Sequence, residues 1–177
     1  MNNKNETPLC IAAKNKYESV SEYFLNLNGI NIDIKDNSGK SPRTYLWSLY
    51  DLRINESRER REKYTEDRKN AWSAAAKYRD EKNDLEKKIR DLESDIRDLD
   101  SKINYADKDT DTSSWKNQRM ALNISLAADK IALAITNKQI KDAENEAEEC
   151  TNKINEEFKI SQSYIDRQKR LNSIPRQ

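Results

Sequence analysis

The sequence predicts an all-α chain in which a short helix-turn-helix head, residues 1–54, is followed by a long antiparallel helical hairpin, residues 55–177. Three observations carry this reading. From Arg43 to Ile174 there is no glycine and no proline, and these residues cost about 1 and 3 kcal/mol in a helix interior and collect in loops instead. Gly29, Gly39, Pro8 and Pro42 all precede that stretch, and Pro175 closes it. Within it, apolar residues recur at alternating steps of three and four, the spacing of a helix-pairing seam.

In the head, Thr7-Pro8 precedes Leu9-Cys10-Ile11-Ala12-Ala13. Threonine is a good helix cap, and proline at the first helical position loses no hydrogen bond. Val20, Tyr23, Phe24 and Leu27 mark a second helix, and Asn28-Gly29 is a stop signal. Ile30, Ile32 and Ile34 then alternate with polar residues, and Asp36-Asn37-Ser38-Gly39 supplies a turn. The unit restarts at Ser41-Pro42, which repeats Thr7-Pro8 at a spacing of 34 positions.

This block resembles an ankyrin repeat, through Thr7-Pro8-Leu9, Ala12-Ala13, Val20, Phe24-Leu25, Gly29, Asn31, and Asp36 with Gly39 before Ser41-Pro42. The resemblance covers one to one and a half repeats, residues 5–47. Cys10 stands at the family's histidine position, and Asn15 where an inter-helix glycine is usual, a residue that tolerates a left-handed backbone. In the second unit Arg43-Thr44, Leu46 and Trp47 depart from the pattern, as a terminal repeat would. The resemblance implies protein ligands, held through turn tips and the inner helix surface, which by position would place Lys14, Lys16, Lys35, Asn37 and Lys40 near a partner. So few repeats cannot bury their own apolar faces. Leu46, Trp47, Leu49, Tyr50, Leu52 and Ile54 offer a docking surface that Phe158, Tyr164, Ile165, Leu171 and Ile174 could meet.

The first arm carries its seam on Tyr64, Ala71, Ala75, Tyr78, Leu85, Ile89, Leu92, Ile96, Leu99 and Ile103. The second carries it on Leu122, Leu126, Leu133, Ile140, Ala143, Ala147, Cys150 and Ile154, with Asp129 and Thr136 as polar interruptions. Between them residues 106–114 are rich in carboxylate and hydroxyl side chains, where the coil folds back. In an antiparallel pair, facing residues have position numbers of constant sum. Leu99 with Leu122, Ile96 with Leu126, Ile89 with Leu133, Tyr78 with Ala143, Ala75 with Ala147 and Ala71 with Cys150 meet this condition to within one. Arms of about 50 residues would extend about 75 Å, approaching closely where alanines face. Lys82 and Arg68 sit on seam positions with stems long enough to reach water, whereas Asp129 is expected to make a polar contact inside the bundle.

The second arm also has a second seam: Ile124, Ala128, Ile131 and Ile135, with Ala127, Ala132 and Ala134 between. A two-helix hairpin covers only one seam, so a helix of another chain is expected on this one, most simply in a symmetric homo-oligomer.

Composition narrows function. Hydrophobic residues are 34% and charged residues 37%, with a mean hydropathy of -1.15, too polar for one large core. Lysine plus arginine number 33 against 32 acidic residues, a net charge of +1, so no global field draws nucleic acid or anionic lipid. Histidine is absent, which removes the commonest general base and neutral metal ligand. No catalytic constellation, cofactor or small-molecule substrate is expected. Asp107, Asp109 and Asp111 resemble the opening of a calcium loop, but Thr112 replaces its glycine and Gln118 its bidentate glutamate. Cys10 and Cys150 are isolated, and no apolar run spans a bilayer or forms a signal, so a reducing, cytoplasmic compartment is expected. The first reading is a non-enzymatic interaction or scaffold protein. The alternatives are a nucleic-acid-binding arm using the basic end, with Arg58, Arg60, Arg61, Arg167, Lys169 and Arg170, and a structural strut of a larger assembly.

Overall fold

The computed structural model describes residues 1–27 and 29–175. Asn28 of the expected stop signal lies outside them, as does Arg176, a further basic residue after the basic cluster. The chain is all-α: α1 Pro8–Lys14, α2 Glu18–Leu25, α3 Pro42–Asn104 and α4 Ser113–Ser173. No strand occurs among the described residues. Two compact units form, Met1–Thr65 with Asn152–Gln177, and Glu66–Thr151. Residue 54, the boundary expected from sequence, falls inside α3.

The first unit gathers α1, α2, the opening turns of α3 and the closing turns of α4. Thr7 caps α1 by accepting the Cys10 N–H at 3.1 Å, with Pro8 next. The expected left-handed residue is not Asn15, whose φ is -87°, but Lys16, at +60°. Asn15 instead donates its side-chain amide to the Ile11 carbonyl at 2.8 Å, an end-of-helix bond that holds it in the right-handed region. A lysine there carries a steric penalty of about 1–2 kcal/mol that glycine avoids. Lys16→Gly is expected to raise the urea midpoint by about 1 kcal/mol of stability, and Asn15→Gly to lower it.

The core joins Leu9, Ala13, Ile32, Leu46, Leu49, Tyr50 and Leu171, with Phe24, Leu25, Ile30, Tyr45, Tyr164 and Ile174 against it. The two ends of the chain therefore meet as the apolar spacing predicts, though not with every residue. Trp47, Leu52 and Phe158 are 40%, 39% and 56% exposed. Helix α2 also turns differently from its apolar pattern. Val20, Tyr23 and Leu27 face water, and the fully buried position is Ser21. The reason is polar: Glu18 and Glu22, on the inward side of α2, are matched by basic and phenolic groups of α3 and α4.

The turn after the isoleucine segment is tied by Asp36. Its Oδ1 accepts from the Ser38 N–H at 2.8 Å, the Ser38 hydroxyl at 2.6 Å and the Lys40 N–H at 3.1 Å, and its Oδ2 from the Tyr45 hydroxyl at 2.9 Å. Gly39 has φ +78°, the conformation that requires glycine there. Ser38 and the other donors hold the Asp36 carboxyl down at about 2. A depressed carboxyl stabilises the fold above its ordinary value of 3.8 and loses that contribution as pH falls toward about 2. Urea midpoints followed from pH 5 downward are expected to drop across that window, and Asp36→Asn to flatten the drop between about pH 4 and 2.

The second unit is an antiparallel helical hairpin. Ala71, Ala75, Ile89 and Leu99 of α3 are buried, as are Thr136, Ala143, Ala147 and Cys150 of α4. Ala75 and Ala147 have no exposure at all, as the alanine-facing register predicts. Ion pairs follow the same register: Lys130 with Glu93 at 2.9 Å, Arg119 with Asp100 at 2.6 Å, and Arg79 with Glu144. Thr136 sits in the seam by returning its hydroxyl to the Ala132 carbonyl at 3.1 Å, so no polar group is stranded. Lys82 is half-buried and pairs with Glu86 at 3.8 Å. The contact expected of Asp129 is absent among the described residues: it is half-buried at the edge of the seam, where water reaches it. Helix α3 ends at Asn104 and α4 begins at Ser113. Asp111 accepts the Ser113 N–H at 2.9 Å, which satisfies one of the amides a helix start leaves open.

Candidate protein-interaction surfaces

Three surfaces carry the residues singled out from sequence. The first is the outer face of α4 in the second unit. Between Met120 and Ile135 the helix has only two charged residues, Asp129 and Lys130. Its hairpin side is occupied by Leu122, Leu126 and Leu133. The opposite side is open: Met120, Ile124, Ile131 and Ile135 are 62%, 66%, 64% and 55% exposed, and Ala128 is exposed beside them. Its neighbouring charges are directed away, Lys130 to Glu93 and Arg119 to Asp100. Scattered apolar residues on a surface are ordinary, but a continuous uncharged stripe of this length is uncommon on a surface that faces only water. A shallow depression lined by Lys116, Arg119, Met120, Asn123, Ile124 and Ala127 lies at its start.

The second surface is on the head. Lys14 pairs with Glu6 at 2.7 Å, and Lys40 stands 5.7 Å from the centre of the Tyr45 ring. Lys16 and Lys35 are exposed, and the Lys35 carbonyl accepts from the Asn5 side chain at 2.9 Å. The Asn37 N–H donates to the Lys4 carbonyl at 3.1 Å. Lys14 and Asn37 share a shallow groove of about 280 Å³ with Lys4, Glu6, Asp36 and Ser38. Lys16, Lys35 and Lys40 lie outside its lining.

The third is the basic cluster of the first unit, which is largely occupied internally. Arg60 makes a bidentate pair with Glu157 at 2.6 and 3.1 Å, and that hydrogen-bonding arginine keeps the Glu157 carboxyl below its ordinary range against the pull of burial. The Arg61 guanidinium lies over the Phe158 ring at 5.7 Å. Arg167 lies 3.7 Å from both Glu18 and Glu22, and Arg170 3.6 Å from Glu22. Lys169 reaches Asp166 at 3.4 Å, and Arg58 is exposed. A phosphate backbone is held by cations that it can neutralise, and five of these six already face a carboxylate or an aromatic ring.

The groups that sequence reasoning missed are the acceptors of that cluster. Glu18 accepts from the Tyr164 hydroxyl at 2.7 Å and Arg53 Nε at 2.8 Å, and Glu22 from the Tyr50 hydroxyl at 2.7 Å. Burial pushes the Glu18 carboxyl up, but its hydrogen bonds to Tyr164 and Arg53 outweigh that and leave it below the usual glutamate range. Burial, then the Glu22 acceptor, raises the Tyr50 hydroxyl. The available signal was the four-residue step from Glu18 to Glu22, which sets both carboxylates on one side of α2.

Among the described residues, no cluster of three histidine, cysteine or acidic side chains could hold a metal ion, and no helix is long and apolar enough to cross a membrane. Cys10 and Cys150 are buried free thiols. Comparison of the chain with family models, with curated proteins and with solved structures gives no match.

Proposed function

We propose that this chain is a non-enzymatic interaction protein: a head built like an ankyrin repeat, joined to a helical hairpin that works as a coiled coil and associates through the outer face of α4. The single observation carrying the reading is the uncharged stripe of Met120, Ile124, Ile131 and Ile135, each more than half exposed. Burying such side chains is worth about 1.5–3 kcal/mol apiece, enough to favour another helix over water. The ankyrin assignment of the head is supported by the Thr7 cap, the paired short helices and the Asp36 turn before Pro42. It implies a protein ligand at the turn tip and α1, near Lys14, Lys16, Lys35, Asn37 and Lys40. Two buried free thiols suit a reducing, cytoplasmic setting.

The test is sedimentation equilibrium of the full chain over a range of concentrations. Wild type is expected to give a mass above 20.7 kDa that falls on dilution, and Ile131→Lys to stay monomeric at concentrations at least tenfold higher, because a charge in an apolar interface costs several kcal/mol unless paired. Equal masses for both proteins would remove the α4 face from the account.

A further inference from the structure

We infer that the occupant of the α4 face is the α4 face of a second copy, antiparallel and two-fold symmetric, centred between Ala127 and Ala128. This rests on the reading that the face is an interface, and adds the partner, its direction and its register.

A two-fold interface is isologous: if residue i meets residue j, then j meets i. For one helix packed antiparallel on its own copy, facing residues must therefore lie equally far from a common centre. The face then has to read alike from both ends. It does so here. About the Ala127–Ala128 midpoint, Ile124 mirrors Ile131 and Met120 mirrors Ile135, and one step inside Met120 the small Ala121 mirrors Ala134. All of these positions are exposed in the hairpin. Large residues thus meet large ones on both flanks, and the centre holds only alanines, which let two helix backbones approach closely.

Charge selects this arrangement over its competitors. By position, the symmetric register sets Lys116 level with Gln139 and Lys130 level with Ser125, so neither lysine meets its own kind. A parallel pair would set the exposed Lys116 beside its own copy, and like charges placed together are destabilising. Sliding the antiparallel pair by one heptad would set Ile131 and Ile135 against Asn117 and Ser113 in one direction, and Ile124 and Met120 against Lys138 and Asp142 in the other. Four large side chains more than half exposed, with the exposed alanines between them, make one contiguous apolar patch of the kind that marks an interaction site.

Disulfide trapping of full-length variants tests the register, using air oxidation with copper phenanthroline and non-reducing gels. The native thiols Cys10 and Cys150 are buried, so wild type is the blank. In the symmetric register residue 128 lies next to its own copy, within the reach of a disulfide, whereas residue 124 is displaced from its own copy by about 10 Å along the axis. Ala128→Cys is expected to cross-link at least tenfold faster than Ile124→Cys alone, and an equimolar mixture of Ile124→Cys with Ile131→Cys to cross-link readily. Self-linking of Ile124→Cys as fast as Ala128→Cys would show a parallel pair and overturn the inference. A chain that sediments as a dimer but fails to link at 128 would overturn the register and leave the interface standing. A chain that is monomeric throughout, with no variant linking, would overturn both.

Discussion

Replacing Leu171 by alanine is expected to destabilise the first unit by about 2–5 kcal/mol, the range for truncating a fully buried leucine. Leu171 is 1% exposed and belongs to a cluster whose other members come from α1, the isoleucine segment and the start of α3. Those elements number too few to enclose a core, so the closing turns of α4 complete one that the head cannot build. Amide exchange locates the effect. Protection of α1 and α2 should fall with that of the α4 end, because the cluster opens as one body. A change under about 0.5 kcal/mol, or one confined to the last turn of α4, would show that the head holds together without it.

Arg43→Ala is expected to cost about 2–4 kcal/mol, since it breaks a largely buried, hydrogen-bonded ion pair. Arg43 Nε and Nη2 grip the Asp33 carboxylate at 2.7 and 2.9 Å, while its guanidinium also donates to the Leu171 carbonyl and, at 2.9 Å, to the Ile174 carbonyl. One side chain thus fixes the isoleucine segment and satisfies carbonyls that the end of α4 leaves open. Arg43→Lys should recover less than half of the loss, because an ammonium lacks the planar fork. Combining Arg43→Ala with Asp33→Asn should cost less than the two single changes added together, because each single change already removes the same ion pair and the sum counts it twice. Urea midpoints of the four proteins measure this, and simple additivity would contradict it.

Position 43 illustrates where sequence reading ended. As the residue after Ser41-Pro42 it was a departure from a repeat pattern, and nothing local says that a carboxylate ten positions earlier and the far end of the chain converge on it. Long-range polar pairing leaves no periodic trace. The hairpin was legible because its cause is periodic: alternating steps of three and four, matched in reverse order between the arms, specify both packing and register. The α2 face shows the converse. Its apolar residues repeat at helical spacing, yet Glu18, Ser21 and Glu22 turn inward because Arg53, Tyr50, Tyr164 and Arg167 lie there. The candidate α4 face was readable from a surplus, more apolar stripe than one partner helix could cover. The occupation of the basic cluster by Glu18, Glu22 and Glu157 was not, since charge counts do not reveal who pairs with whom.

The central claim is that the outer face of α4 is covered by protein. The chain supplies its own probe and its own control, because it has two methionines, Met120 on that face at 62% exposure and Met1 in the first unit at 79%. Exposed methionines oxidise readily to the sulfoxide. Peroxide oxidation of the full chain, followed by peptide mass spectrometry across a dilution series, is predicted to show Met120 protected at least fivefold at high protein concentration and released on dilution, with Met1 unchanged throughout. Equal oxidation of Met120 and Met1 at every concentration would contradict it.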